Sequence, residues 1–146
     1  MWEKAVLPIK QHMLYKPMTI DNQDILFAGM LIADIPSGVT LDPETQHLQC
    51  FLGGLFALSA KAFKRPEDLE IAAKLTDGCV WAYRSTPSGI MPETFYAFYC
   101  DDHTDCPWNE SRWQKEVSPL TELPYGFSSI RDGRYLLRYF LPFYYF

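Results

Sequence analysis

Two runs of apolar residues spaced three and four apart, joined by Lys64-Arg65-Pro66, constrain this chain more than any other feature in it. In the first, Leu48, Phe51, Leu52, Leu55, Phe56, Leu58 and Ala62 recur at helical spacing, which predicts a helix over 46–63 with one broad buried face. In the second, Leu69, Ala72, Ala73, Thr76, Cys79, Val80 and Tyr83 predict a helix over 67–83. It opens on Pro66, Glu67 and Asp68, where a proline and acids suit a helix N-terminus. So short a connection makes the two antiparallel, an αα-hairpin.

That hairpin gives two of the four cysteines a relation. Cys50 and Cys79 lie almost equally far from the turn at Arg65, so at about 1.5 Å of rise per residue they reach the same height. A disulfide needs their Cα atoms within about 7 Å, closer than the usual 8–10 Å between helix axes, an approach that Gly53 and Gly54 permit. Two buried thiols fit the same positions. Cys100 and Cys106 could close a second bridge across the acidic stretch 100–113, which reads as an exposed loop. No Cys-x-x-Cys pair is present, and His12, His47 and His103 are scattered, so nothing points to a metal site built from these residues.

Around the helix pair the signals are shorter. Residues 2–14 form a helical stretch interrupted by Pro8. Residues 24–38 contain two β-leaning pieces flanking Ala28-Gly29, read as a small hairpin ending at Pro36-Ser37-Gly38. Thr45 stands where it could cap the first long helix. The run 94–99, with Phe95, Tyr96, Phe98 and Tyr99, is β-like and suits the wall of a site. Asn109-Glu110-Ser111 has the N-glycosylation acceptor pattern.

Charge and hydropathy exclude some partners. A net charge of −5 over 146 residues, with no cluster of Lys and Arg, argues against nucleic acid. Neither 25–35 nor 135–146 offers the roughly 20 apolar residues of a membrane-spanning helix. The opening Met1-Trp2-Glu3-Lys4 lacks the basic and apolar regions of a signal peptide.

Taken in order, "PMTIDNQDILFAG" (17–29), "HLQCFLGG" (47–54), Cys79, "GIMPETF" (89–95) and "DGRYLLR" (132–138) resemble the class I α-1,2-mannosidases, glycoside hydrolase family 47. The resemblance runs over about 2–138. It implies a mainly α fold, part of an (αα)7 barrel whose αα-hairpins carry short β-hairpins in their loops. It also implies the endoplasmic reticulum or Golgi lumen, a bound calcium ion (Ca2+), and removal of α-1,2-linked mannose from N-linked high-mannose glycans with inversion. A barrel of that kind is longer than 146 residues, so 1–138 reads as a partial catalytic domain and 139–146 as an aromatic tail outside the family pattern.

Site residues follow one by one from the resemblance. His47, Glu93 and Arg138 match positions that line the sugar pocket. Read alone, they would be a capping or surface histidine, a solvated loop acid and an ordinary surface cation. The family's proposed base is the glutamate of Leu-Arg-Pro-Glu; here the match ends at Leu137-Arg138 and the base position carries Phe140, which cannot take a proton. Two further essential acids fall before the segment represented here, and the calcium-binding threonine falls after it. The expected catalytic set in this chain is therefore empty and the isolated chain inactive. A non-catalytic relative that binds mannose glycans in endoplasmic reticulum quality control is the alternative, and a helical interaction domain unrelated to the family is a third.

Overall fold

The computed structural model describes residues 2–34, 36, 38–100, 105–117 and 122–136. Arg138, Phe140 and the rest of the 139–146 tail, and His103, lie outside the described residues. Four helices and three small antiparallel sheets alternate along the chain: α1 (Trp2–Pro8), β1 (Leu14–Tyr15), β2 (Phe27–Ala28), β3 (Met30–Asp34), β4 (Gly38–Asp42), β5 (Glu44–Gln46), α2 (Phe51–Ala62), α3 (Asp68–Ser85), β6 (Thr94–Ala97), α4 (Glu110–Glu116) and β7 (Phe127–Asp132). The architecture is mixed α/β rather than mainly α, because four strand pairings in three sheets join the segments around the helix pair. No helix among the described residues is long and apolar enough to cross a membrane.

The helix pair forms as expected. A single 3-10 turn, His47–Cys50, leads into α2, and α3 runs back beside it. Their approach is set by Gly53, where an added Cβ would lie 2.6 Å from Thr76 Oγ1 and 3.2 Å from the Ala72 carbonyl. Gly54 faces open space and contributes nothing to that approach. Cys50 and Cys79 are disulfide-bonded with Cα atoms 5.9 Å apart, and Cys100 is bonded to Cys106. Between the helices, Lys64 adopts a left-handed φ of 55° and the Arg65 N–H reaches back to the Ala60 carbonyl at 2.8 Å, a Schellman end to α2. Asp68, fully buried at the start of α3, is paired with Arg65 at 3.1 Å and with Lys10 from the N-terminal segment.

Four readings of local structure need correction. The buried positions of α2 are Gly53, Phe56, Ser59 and Ala60, while Leu48, Phe51, Leu55 and Leu58 are exposed; Gly53 lets α3 approach and Phe56 packs in one cluster with Ala72 and Leu75 of α3, which leaves Leu55 and Leu58 turned outward. In α3 the buried set is Asp68, Ala72, Leu75, Gly78, Cys79, Trp81 and Ala82, so Leu69 and Ala73 also leave the core. The two pieces flanking Ala28-Gly29 do not pair with each other. β2 pairs back to β1 and β3 pairs forward to β4, because Gly29 lies against the Asp42 carbonyl, where an added Cβ would be 2.3 Å away. Thr45 is no helix cap: it sits inside β5, and its hydroxyl is hydrogen-bonded to Tyr15 Oη at 2.7 Å. At the N-terminus α1 passes through Pro8 into a π-helical turn, Ile9–Met13, since the ring removes the donor a regular turn would need.

The principal core joins the sheets to the back of α3. Phe27, Trp81, Phe95 and Phe127 pack ring on ring, with Trp81 stacked on Phe127 at 5.3 Å and Phe95 on Phe127 at 4.8 Å. Gly126, at a left-handed φ of 87°, brings the chain so close that an added Cβ would meet the Trp81 ring at 2.8 Å. A second cluster, Val6, Leu14, Ala28, Phe56, Ala72 and Leu75, fastens α1 across the helix pair.

Candidate functional site

The three-stranded sheet β5-β6-β7 brings distant parts of the chain to one end. Gln46 pairs with Thr94 and Thr94 with Asp132, so the residues just beyond the ladder, His47, Glu93 and Arg134, converge there. The ladder continues one bond further, the His47 N–H donating to the Glu93 carbonyl at 2.9 Å. Two of the three expected pocket residues are thereby brought together by backbone geometry. The third, Arg138, lies outside the described residues.

His47 is held from two sides. It is 7 % exposed, its Nε2 is hydrogen-bonded to Tyr83 Oη at 2.8 Å, and the two rings meet edge to face at 6.0 Å. Tyr83 belongs to the last turn of α3, and the Cys50–Cys79 disulfide crosses between the helices about one turn away. The same disulfide supports Glu93: Cys50 Sγ lies 3.8 Å from the sulfur of Met91, which is fully buried and anchors the Met91-Pro92-Glu93 turn.

Beside Glu93, Asp132 and Arg134 form a fork. The Arg134 guanidinium donates through Nε at 2.9 and 3.0 Å and through Nη2 at 2.6 Å, while its backbone N–H donates to Asp132 Oδ1 at 3.0 Å. These bonds pull the Asp132 carboxyl down to about 2. Arg134 is raised mainly by the Asp132 hydrogen bonds, with a smaller electrostatic pull from Glu93, which places that carboxylate in the same field. A carboxyl so firmly ionised is a hydrogen-bond acceptor and not a proton donor at neutral pH. An imidazole, a phenol, two carboxylates and a guanidinium at one sheet end can orient a polyhydroxylated ligand.

Three of the aromatics of 94–99 share one wall: Tyr96, Phe98 and Tyr99 line a cleft of about 290 Å³ with Arg112 and Glu116, the Arg112 guanidinium lying over the Phe98 ring at 5.1 Å, while Phe95 is core; the cleft includes neither His47 nor Glu93.

Residues 1–139 match the sequence profile of glycosyl hydrolase family 47. The chain belongs to that family. Among its relatives, a probable mannosyl-oligosaccharide alpha-1,2-mannosidase 1B of Aspergillus niger is 32 % identical over 137 residues, 94 % of this chain and 23 % of the relative. The mannosyl-oligosaccharide alpha-1,2-mannosidase 1B of Emericella nidulans gives the same figures, and a probable one of Aspergillus flavus is 39 % identical over 95 residues, 65 % of this chain and 16 % of the relative. The family 47 chain thus spans about a quarter of the length of the longer-matching relatives.

Calcium does not fit the described part of this family 47 chain. Calcium takes six to eight oxygen ligands, and among the described residues no group of three or more His, Cys, Asp or Glu comes together in a way that could hold a metal.

Tyr83, Asp132 and Arg134 stand beside the candidate site without having been named for it, although Asp132 and Arg134 lie in the motif 132–138. Tyr83 had a signal of its own. His47 lies about one turn before Cys50 and Tyr83 one turn after Cys79, so the spacing that matches the cysteines in height also matches this pair. For the Asp132–Arg134 fork the motif supplied the two residues but not their place beside Glu93, which depends on the register of β6 with β7.

Proposed function

We propose that this chain is a segment of an α-1,2-mannosidase that trims N-linked high-mannose glycans, with inversion, in the lumen of the endoplasmic reticulum or Golgi, and that 1–138 is part of its (αα)7-barrel catalytic domain. The observation that carries the reading is the meeting of His47 and Glu93 at the end of the β5-β6-β7 sheet, with Asp132 and Arg134 beside them. In this reading His47, Glu93 and Arg138 bind the sugar, the acid belongs to the remainder of the protein, and the base comes where the family frame continues past Arg138 in place of the 139–146 tail. Inversion requires two carboxyl groups about 6.5–9.5 Å apart across the scissile bond. With Phe140 at the expected base position, the segment alone releases no mannose. Two disulfides support the lumenal location, since such bonds persist in oxidising compartments.

The test is mannose release, with calcium, by this chain and by a version extended at both ends in its genomic frame. Only the extended protein is expected to turn over. In it His47→Ala lowers kcat/KM by about tenfold or more, the scale of one to two lost hydrogen bonds to substrate. An inactive extended protein that still retains high-mannose glycans on a column would replace the hydrolase with a mannose-binding relative.

A further inference from the structure

Asn109 is the one of the chain's two asparagines that begins an Asn-x-Ser pattern, and the structure puts it in a position to carry a sugar. It is exposed, in extended backbone at φ −136° and ψ 96°, immediately before α4. Its side chain caps that helix through the oxygen alone, Oδ1 accepting the Arg112 N–H at 2.9 Å. An N-linked sugar replaces a hydrogen on Nδ2 and leaves Oδ1 an amide oxygen, so the cap and the modification are compatible.

The surroundings point the same way. Trp108, Trp113 and Tyr125 form a ring cluster with centroids 5.0 to 5.9 Å apart, Tyr125 being exposed and both tryptophans half-buried. Asn109 adjoins it in sequence and through the Trp113 N–H, which donates to the Asn109 carbonyl at 3.0 Å. Tyr125 is the exposed member of that cluster, and the tryptophans pack inward on Met18, Phe98 and Cys106, so the acceptor stands on a supported surface with its amide open to solvent.

We infer that Asn109 is an N-glycosylation site, so that this chain carries a glycan as well as belonging to a family that processes them. In the transfer, Asn109 Nδ2 attacks the anomeric carbon of an oligosaccharide carried on a polyisoprenyl diphosphate. The C–N bond forms as the C–O bond to the diphosphate breaks; the diphosphate leaves with the electron pair and the nitrogen proton passes to a base of the transferring enzyme. The inference rests on the lumenal location proposed above and not on the hydrolytic activity.

The experiment supplies that location directly. The chain is translated with an appended leader and a C-terminal tag bearing one reporter acceptor site, in the presence of microsomes, and protease-protected products are resolved before and after a glycan-cleaving amidase. The reporter marks every translocated chain with one glycan. Wild type and Ser111→Thr are expected to carry two, and Asn109→Gln and Ser111→Ala one. Ser111→Ala leaves the Asn109 cap in place, so its loss of a glycan is not a loss of the helix. A wild-type product with the reporter glycan alone overturns the inference, whatever the extended protein does to mannose.

Discussion

Asp132 and Arg134 show how one short motif can hold a charge in place at the edge of a site. Because the folded carboxyl titrates at about 2, below its ordinary value near 4, the pair's contribution to stability is present above about pH 4 and is lost as pH falls through 2. In an NMR titration the Asp132 carboxyl should have its midpoint at about 2 in the wild type and move up toward about 4 in Arg134→Ala. An unmoved midpoint would put the cause elsewhere. Chemistry at this scale was partly legible in sequence. His47 and Glu93 could be named from motifs, whereas the fork could not, since Asp132 reaches Glu93 only through the strand register that aligns Thr94 with it.

Among the elements, the helix hairpin was the most legible because its determinants are local: helical spacing, a tight turn, and cysteines at matching heights. Its two neighbouring glycines separate packing from propensity. Gly53→Ala should cost about 1–3 kcal/mol, since the new Cβ would sit 2.6 Å from Thr76 Oγ1, while Gly54→Ala, in open space, should gain about 0.5–1 kcal/mol. Denaturant midpoints for the two variants should move in opposite directions. Replacing Cys50 and Cys79 together by serine should cost about 3.5 kcal/mol for a loop of this length. What sequence could not supply was the facing of α2. Its apolar positions cover too much of the helix to choose a face, and the choice was made by Gly53 and Phe56 against α3. The small sheets were hidden for a related reason: β1 finds its partner in β2 and β5 in β6, pairings that no turn signal between them announces.

For the whole molecule, the outward stripe of α2 and the length of the relatives belong together. Leu48 is 64 % and Leu58 69 % exposed, with Phe51 and Leu55 between them, in a chain spanning 23 % of the Aspergillus niger relative. A stripe of that kind is ordinary core in a ring of helix pairs and a liability outside one. Leu58→Glu should therefore raise the solubility of this chain alone, read as the concentration at which light scattering begins, and lower the melting temperature of the extended protein. If it leaves the extended protein unchanged, the stripe faces water there too.

The route by which the site is put together follows from its topology. His47 leads into a helix pair whose contacts are close in sequence, yet the Glu44–Tyr96 pairing spans 52 residues and the strand bearing Asp132 emerges later still. At roughly 5–20 residues per second of synthesis, α2 and α3 can be in place seconds before β6 and β7 exist to pair. The imidazole is positioned early by local helical contacts, and the carboxylates follow by long-range strand closure, so the end that bears His47 and Glu93 closes only after the helix pair beside it has formed.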